Sequence, residues 1–414
     1  MAHSSDGEGS LQTLGAGPAN DHQDQERDSG ISDVDDQIST TTSISTLFRE
    51  QLNISKNGRR YPLSPFDEGK EFLLPNDEQE QQRLDMQHKL IAVLMTGNSN
   101  SNGAALLSPP QQLAYGGLVL DVGTGTGIWA MDFADEHPNM DVMGSDITPI
   151  QPHLFVTTLH RPSSLRADLF RVPNNCTFVV DDLEQPWDWA EQFNLALVFC
   201  RCITGSFKDP RYIFRQSFSQ LEPGGRLEIQ DFDLRLQHCG RAPTTTKVQS
   251  LLDALFKKSE ETGLCLDCVH EYRGMMAEIG YEDIQEKKYY VPLGGRWPRE
   301  ELYKQVGWWA SFVVVDFLEA LCLELLVGRS GWTVEEVDVL FDLIRAELQD
   351  HHYYITFYTL SGRKPGSLST IPRPTPGGLG AIANDLTTTK PPRCPCTKPP
   401  DEDAATHASK RFRE

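Results

Sequence analysis

The segment Leu118–Ala130 reads Leu118-Val-Leu-Asp-Val-Gly-Thr-Gly-Thr-Gly-Ile-Trp-Ala130. Its apolar start predicts a buried strand, the alternating glycines Gly123, Gly125 and Gly127 predict a tight turn, and the residues after them predict a helix. Glycine lets the backbone turn sharply and approach a bound molecule where a Cβ atom would collide. The following helix offers unpaired backbone N–H groups at its start. The segment therefore predicts a strand–loop–helix unit that binds a ligand at the loop.

Two acidic residues flank this loop in positions that suit a nucleoside. Asp121 precedes the first glycine by two residues, and Asp146 ends the next apolar run, Met140–Ile147. A dinucleotide-binding loop requires glycine or alanine three residues after its second glycine, and this chain has Ile128 there. S-adenosylmethionine presents an ammonium group and a ribose diol, and carboxylates suit both. The pattern therefore favours S-adenosylmethionine over NAD, and a methyltransferase over a dehydrogenase.

Further apolar runs follow the loop and alternate with helical segments. They predict strands in Thr177–Leu183, Asn194–Cys200, the part of Leu221–Asp231 that follows its Pro-Gly-Gly turn, Gly280–Ile284, Lys287–Pro292 and Tyr353–Tyr358. Such alternation implies right-handed crossovers and a mostly parallel sheet. Because ligands of these sheets bind at the carboxyl ends of the strands, we expect the paired acids Asp181 and Asp182 beside the adenine.

These motifs resemble those of the fungal LaeA-like methyltransferase family. The resemblance spans roughly residues 48 to 364 and rests on Asn57–Tyr61, Leu74–His88, Asp121–Pro138, Asp146–Pro152, Asp181–Trp187 and Thr204–Asp209. It implies a class I methyltransferase fold, which is α/β and Rossmann-like, with a mostly parallel seven-stranded sheet and helices on both faces. It also implies S-adenosyl-L-methionine as the cofactor.

The loop, the strand ends and the resemblance together predict one cofactor site. Its expected residues are Asp121, Gly123, Gly125, Gly127, Asp146, Ile147, Asp181, Asp182 and Leu183. Methyl transfer from an activated donor depends mainly on alignment, and no catalytic base can be named from the sequence. Arg201, Thr204 and Lys208 follow the fourth strand, where residues that contact the acceptor are expected.

The resemblance implies a role in fungal secondary metabolism in one of two forms. The first is a cytoplasmic methyltransferase that acts on a small-molecule intermediate of a biosynthetic pathway. The alternative is a regulator of secondary-metabolism gene clusters that acts in the nucleus through velvet-type protein partners. Bound cofactor is compatible with both forms, so the sequence leaves them open.

The lead-in segment predicts a helix that helps to close the cofactor site. Asn76 is the expected N-cap, with Gln79 three residues later. Helical spacing places an apolar stripe at Leu84, His88, Ile91 and Met95. His88 is interpreted as a packed histidine rather than a base, and Arg60 and Tyr61 are the upstream residues expected nearest a ligand.

The later part of the chain is expected to cover the site and shape the acceptor pocket. Residues 244–289 predict mainly helix, with apolar residues at helical spacing in Val248, Leu251, Leu252, Leu255 and Phe256. Another apolar helix is predicted over Trp308–Leu326. Trp308 and Trp309 are interpreted as core residues, with an aromatic acceptor pocket as the alternative. The Cys265-Leu-Asp-Cys268 motif is interpreted as structural thiols, and no metal site is predicted.

Composition narrows the class of protein. The chain has 414 residues, of which 39% are hydrophobic and 23% charged, as in soluble globular proteins. No apolar run is long enough to cross a bilayer, and no secretory signal is visible, so the cytosol or nucleus is expected. The formal charge of −21 disfavours direct binding of nucleic acid, which requires a basic surface.

Composition also predicts the limits of the folded domain. An acidic tail at 1–47 and a Pro-rich tail at 365–414 are predicted to be disordered, because they lack enough apolar residues for a core. The methyltransferase domain is predicted between them, at 48–364. The stretch 153–171 departs from the family pattern, and we interpret it as an exposed insertion near the adenosine or as a gene-model artefact.

Overall fold

The segment Leu118–Ala130 forms the central strand, loop and helix of a seven-stranded sheet. The structure is a computed structural model and describes residues 53–63, 72–98, 105–107, 117–152, 172–240 and 246–366. The predicted N-terminal tail, the stretch 153–171 and the chain after residue 366 lie outside the described residues.

The described strands and helices follow the predicted alternation. The strands are β1 (Asn53–Lys56), β2 (Arg59–Pro62), β3 (Leu118–Val122), β4 (Asp141–Asp146), β5 (Cys176–Val180), β6 (Leu195–Arg201), β7 (Leu221–His238), β8 (Glu282–Leu293) and β9 (Tyr353–Arg363). The helices are α1 (Glu78–Thr96), α2 (Ile128–Glu136), α3 (Pro210–Gln220), α4 (Lys247–Glu261), α5 (Tyr272–Ile279), α6 (Glu301–Cys322) and α7 (Val334–Asp350). A π-helical turn, Leu323–Val327, continues α6.

The order of strands in the sheet is β5-β4-β3-β6-β7-β9-β8. Neighbours from β5 to β7 run parallel, whereas β9 is antiparallel to both β7 and β8. β1 and β2 form a separate antiparallel hairpin. The mostly parallel seven-stranded sheet is confirmed, and it brings the carboxyl ends of β3 to β7 to the same edge.

Alternate residues of the central strands pack on opposite faces of the sheet, as the two-residue period of a strand requires. Val119 faces an apolar cluster that contains Trp129 and Phe133 of α2. Leu120 faces the other cluster, which contains Phe214 of α3 and Tyr272 of α5. A third cluster covers the later part of β7 with apolar residues of α1, α4, α6 and α7. Helices therefore pack on both faces, as expected.

Two local predictions are corrected. The N-cap of α1 is Asp77 rather than Asn76, and its side chain accepts a hydrogen bond from the Glu80 N–H at 3.1 Å. Asn76 is instead buried against the β1–β2 hairpin, where its side chain bonds Asn53 and Arg60. Its oxygen is committed to this contact, so the neighbouring aspartate caps the helix.

Trp308 does not belong to the core. It is 52% exposed and contacts Phe312 one helical turn later. α6 begins at Glu301 and directs Val306, Ala310 and Val313 inward, which leaves Trp308 on the outer side of the helix. Trp309 packs partly buried against the core. No helix in the described ranges is both long and apolar enough to cross a membrane.

Phe178 of β5 packs against two glycines of neighbouring elements. A Cβ added at Gly127 would lie 2.5 Å from the ring, and one at Gly144 of β4 would lie 2.7 Å from it. Gly127 also has a φ of +79°, a conformation that costs other residues free energy. The close approach of loop and ring therefore requires glycine at these positions.

We expect Gly127→Ala to lower the free energy of unfolding by about 3 kcal/mol, because it adds a clash to the cost of a positive φ. Gly123→Ala is the matched control. Gly123 has a φ of +67°, but apart from its chain neighbours a Cβ there would meet no atom within 4 Å in the part of the chain that the structure describes. We expect Gly123→Ala to lower the free energy of unfolding by about 1 kcal/mol, as measured by urea unfolding. Equal losses in the two variants would contradict the packing role of Phe178.

Candidate active site

A cavity of about 380 Å³ lies at the carboxyl ends of the parallel strands. It is lined at this edge by Gly123, Gly125, Asp146, Asp181 and Arg201, which end or follow β3, β4, β5 and β6. Asp231 of β7 also lines it and directly follows Gln230, the partner of Arg201 in the sheet. The volume is within the range of small-molecule pockets. The sheet topology therefore gathers residues that are far apart in sequence into one site.

The glycine loop is held against the end of β4 by backbone hydrogen bonds. The N–H groups of Gly123 and Thr124 both donate to the Ser145 carbonyl, at 2.9 and 3.0 Å. The Gly125 N–H donates to Asp146 Oδ2 at 2.8 Å. Gln151 Nε2 donates to the Gly125 carbonyl at 2.7 Å. The loop backbone is therefore fixed beside the Asp146 carboxylate.

Asp121 of β3 and Gly127 of the loop are not among the residues that line the cavity. Asp121 is buried, and its Oδ2 accepts a hydrogen bond from Thr124 Oγ1 at 2.6 Å. Burial raises the pKa of Asp121 to about 7, although the Thr124 bond and the charge of Arg201 oppose the shift. Asp121 is therefore bonded to the loop through Thr124 and does not itself face the cavity.

The other predicted cofactor residues line the cavity: Gly123, Gly125, Asp146, Ile147, Asp181, Asp182 and Leu183. Asp146 Oδ1 accepts from the backbone N–H and the hydroxyl of Thr148, at 2.9 and 2.8 Å. Burial nevertheless raises the pKa of Asp146 above its usual value. The Asp181 N–H donates to the Asp146 carbonyl at 3.0 Å, which joins the two acidic strand ends.

Asp231 is a cavity residue that the sequence analysis did not single out. It is buried, and its two carboxylate oxygens accept hydrogen bonds from the backbone N–H groups of Thr204 and Phe232, both at 2.9 Å. Burial raises the pKa of Asp231 to about 7, against the effect of these bonds. Its position at the end of the fifth predicted strand could have indicated a site residue, because ligands bind at the strand ends of such sheets.

A buried ion pair on α1 also faces the cavity. Arg83 donates through Nε and Nη2 to the two oxygens of Glu80, at 2.9 and 2.6 Å, and through Nη1 to Gln87 at 2.8 Å. Burial opposes the charge of Arg83, but the Glu80 charge and hydrogen bonds raise its pKa overall. The sequence pattern of this helix predicts only its apolar stripe, so these residues were not predicted from it.

The far wall of the cavity is apolar. It is formed by Phe232, Leu234, Leu264, Val313, Val314 and Phe317. Thr262 and Leu264, which follow α4, line the cavity, so the segment 244–289 contributes to its wall. Val248 and Leu251 of the same segment are core residues. Thr204 and Lys208 line the cavity as expected, whereas Arg60 and Tyr61 do not.

Cys265 and Cys268 are separate thiols in this structure, and Cys268 is buried. Its Sγ donates to the Cys265 carbonyl at 3.6 Å. Within the described ranges, no group of three histidine, cysteine or acidic residues is arranged to hold a metal ion. These thiols therefore enter no step proposed below.

Comparison with known proteins identifies the class. A family profile described as a methyltransferase domain matches residues 86–286. Methyltransferase pytC of Aspergillus terreus is 31% identical over 336 residues, which cover 80% of this chain and 93% of that protein. The secondary metabolism regulator laeA of Aspergillus fumigatus is 28% identical over 325 residues, which cover 75% of this chain and 79% of that protein.

Among solved structures, phosphoethanolamine N-methyltransferase 2 of Haemonchus contortus, in complex with S-adenosyl-L-methionine, is 14% identical. The match covers 81% of this chain and 75% of that chain, with a TM-score of 0.36.

The sheet order, the glycine loop and the methyltransferase-domain match define a class I methyltransferase. More particularly, the chain belongs to the fungal LaeA-like methyltransferase family. The predicted fold class and family are therefore confirmed.

The raised pKa of Asp231 predicts a pH-dependent contribution to stability. Its ordinary value is 3.8, so between about pH 4 and about pH 7 the folded chain holds a proton that the unfolded chain releases. The contribution of Asp231 is therefore largest below about pH 4 and falls as the pH rises to about 7. We expect the free energy of unfolding to fall less in Asp231→Asn than in the wild type as the pH rises from about 5 to about 7. The two losses should differ by up to about 2 kcal/mol, as measured by urea unfolding.

Asp253→Asn is the control for this experiment, because Asp253 is exposed on α4. We expect this variant to retain the pH dependence of the wild type. Parallel curves for the wild type and Asp231→Asn would show that the Asp231 carboxyl titrates normally.

Proposed function

We propose that residues 48–364 form a catalytic domain that transfers a methyl group from S-adenosyl-L-methionine to a small-molecule intermediate of fungal secondary metabolism. One observation carries the proposal. A single cavity joins the acidic strand ends beside the glycine loop to an apolar wall built by α6 and the segment after α4. The similarity to methyltransferase pytC supports the pathway context.

The residues at the strand ends fit this cofactor. Asp181 and Asp182 would lie beside the adenine, and Asp146 would accept hydrogen bonds from the ribose hydroxyls. Gly123 has no side chain, and a Cβ there would meet no atom of the described residues within 4 Å apart from its chain neighbours, so its backbone can approach the methionine end closely. S-adenosylmethionine supplies an activated methyl group, and the protein then provides alignment.

The other half of the cavity suits a largely apolar acceptor with an O–H or N–H group. Val313, Val314 and Phe317 provide an apolar surface, and Asp231 is the carboxyl group beside Phe232 in this wall. With a pKa of about 7, Asp231 is partly ionised at neutral pH. It can therefore accept the proton that the acceptor loses on methylation, as a general base.

The similarity to the regulator laeA supports a second candidate function. A regulatory protein would bind the cofactor in the same way and act through protein partners. The two candidates differ in the molecule that receives the methyl group, so the identity of the labelled product separates them.

Calorimetric titration with S-adenosylmethionine tests the cofactor site. We expect micromolar binding by the wild type and its loss in Gly125→Asp and Asp146→Ala, which add a charge to the loop and remove the ribose acceptor. Gly331→Asp is the control, since Gly331 has a φ of +77° and does not line the cavity. Wild-type protein that fails to bind S-adenosylmethionine would refute the proposal.

Transfer of a labelled methyl group tests the acceptor. With labelled S-adenosylmethionine and a fungal metabolite extract, we expect label in the small-molecule fraction. Asp231→Asn should lower kcat about 10²- to 10⁴-fold, because the general base is lost. Label that appears only in protein would instead favour the regulatory candidate.

A further inference from the structure

Arg201 places a positive charge at the wall of the cavity. It is the last residue of β6, which pairs in parallel with β3, the strand that leads into the glycine loop. Val122 is opposite Cys200 in this register, so Arg201 lies level with Gly123. Both residues line the cavity. The guanidinium is therefore beside the loop, on the side away from β4.

The Arg201 side chain is held by a hydrogen-bonded chain that crosses two helices. Its Nη1 donates to Nδ1 of His88 on α1 at 3.0 Å, and His88 Nε2 contacts Oδ2 of Asp132 on α2 at 2.9 Å. A guanidinium has no acceptor, so Nδ1 accepts and Nε2 donates. His88 therefore fixes the position of the guanidinium, as Asp132 fixes His88.

The charge of Arg201 lacks a direct counterion in the described part of the chain, where no carboxylate lies within 4 Å of its guanidinium. Burial lowers the pKa of Arg201, and the more distant charges of Asp121 and Asp132 only partly compensate. A poorly solvated cation is costly unless an anion pairs with it. The geometry therefore calls for an anionic group of the ligand at this point.

The backbone directly after Arg201 adopts an unfavourable conformation, as is common beside functional residues. Cys202 has a φ of +54°, which is unfavourable for a residue with a side chain. Its N–H donates to the Gln230 carbonyl of β7 at 2.8 Å, which holds this conformation. Such strain is commonly found where a side chain is positioned for function.

We infer that Arg201 binds the carboxylate of the cofactor's methionyl end, with His88 and Asp132 as positioning residues. This inference rests on the proposed function. With the adenine at β5 and the ribose at β4, the rest of the cofactor extends past the glycine loop towards β6. The negative charge of Asp121, which is bonded to Thr124 of the loop, favours the ammonium group, which leaves the carboxylate for Arg201. The arrangement also couples α1 to cofactor binding.

The test compares two ligands that differ only in this carboxylate: S-adenosylmethionine and decarboxylated S-adenosylmethionine. We expect the wild type to prefer S-adenosylmethionine by about 10- to 100-fold in calorimetric Kd. In Arg201→Gln this preference should disappear, because affinity falls for S-adenosylmethionine and stays nearly constant for the decarboxylated ligand. Arg201→Lys, which keeps the charge without the planar fork, should retain part of the preference.

Variants of His88 test the positioning role. His88→Leu should reduce the preference between the two ligands, since it leaves the guanidinium unsupported. His88→Asn should restore part of it, because its amide oxygen can replace Nδ1 as the acceptor. If His88 has a merely structural role, His88→Leu should weaken the binding of both ligands equally and leave the ratio of their Kd values unchanged.

Two results would overturn the inference in distinguishable ways. If the wild type binds S-adenosylmethionine and Arg201→Gln weakens both ligands equally, the assignment of Arg201 is wrong and the proposed function stands. If the wild type binds neither ligand, the proposed function fails and this assignment fails with it.

Discussion

The contact between the ring of Phe178 and two glycines is the constraint on which the rest of the site depends. Gly127 belongs to the loop and Gly144 to β4, and at both positions a Cβ would be closer to the ring than atoms can pack. The bonds from the loop to the Ser145 carbonyl strengthen the same junction. Together they bring the ends of β3, β4 and β5 to one place.

Charge is concentrated around the cavity, where it is costly to bury. Burial raises the pKa of Asp121 and Asp231 to about 7, while Glu80 and Arg83 neutralise each other on α1. Burial also opposes the charge of Arg201. Perturbed ionisable groups of this kind are typical of functional sites. All of these groups except Asp121 line the cavity.

The two halves of the cavity come from different parts of the chain. The strand ends and the glycine loop lie between Gly123 and Asp231, whereas the apolar wall comes mainly from Leu264 onward and from α6. Changes in the late helices can therefore alter the apolar wall while the strand ends and the glycine loop stay in place. α1 contacts both halves, through His88 at Arg201 and through Arg83, which stacks over Phe317 at 5.5 Å.

The sequence alone determined the alternation of strands and helices, the glycine loop and the acids at strand ends, because glycine spacing and hydrophobic period are local properties. The same local patterns misplaced the N-cap at Asn76 and put Trp308 in the core. Which side of α6 faces inward, and therefore whether Trp308 is buried, is decided only when the helix packs. Likewise, Arg201 and Asp231 are distant from His88 in sequence. Only the parallel sheet brings Arg201 and Asp231 to one cavity, and only the packing of α1 brings His88 against Arg201. Their pKa shifts and their roles arise from that burial, which no local pattern encodes.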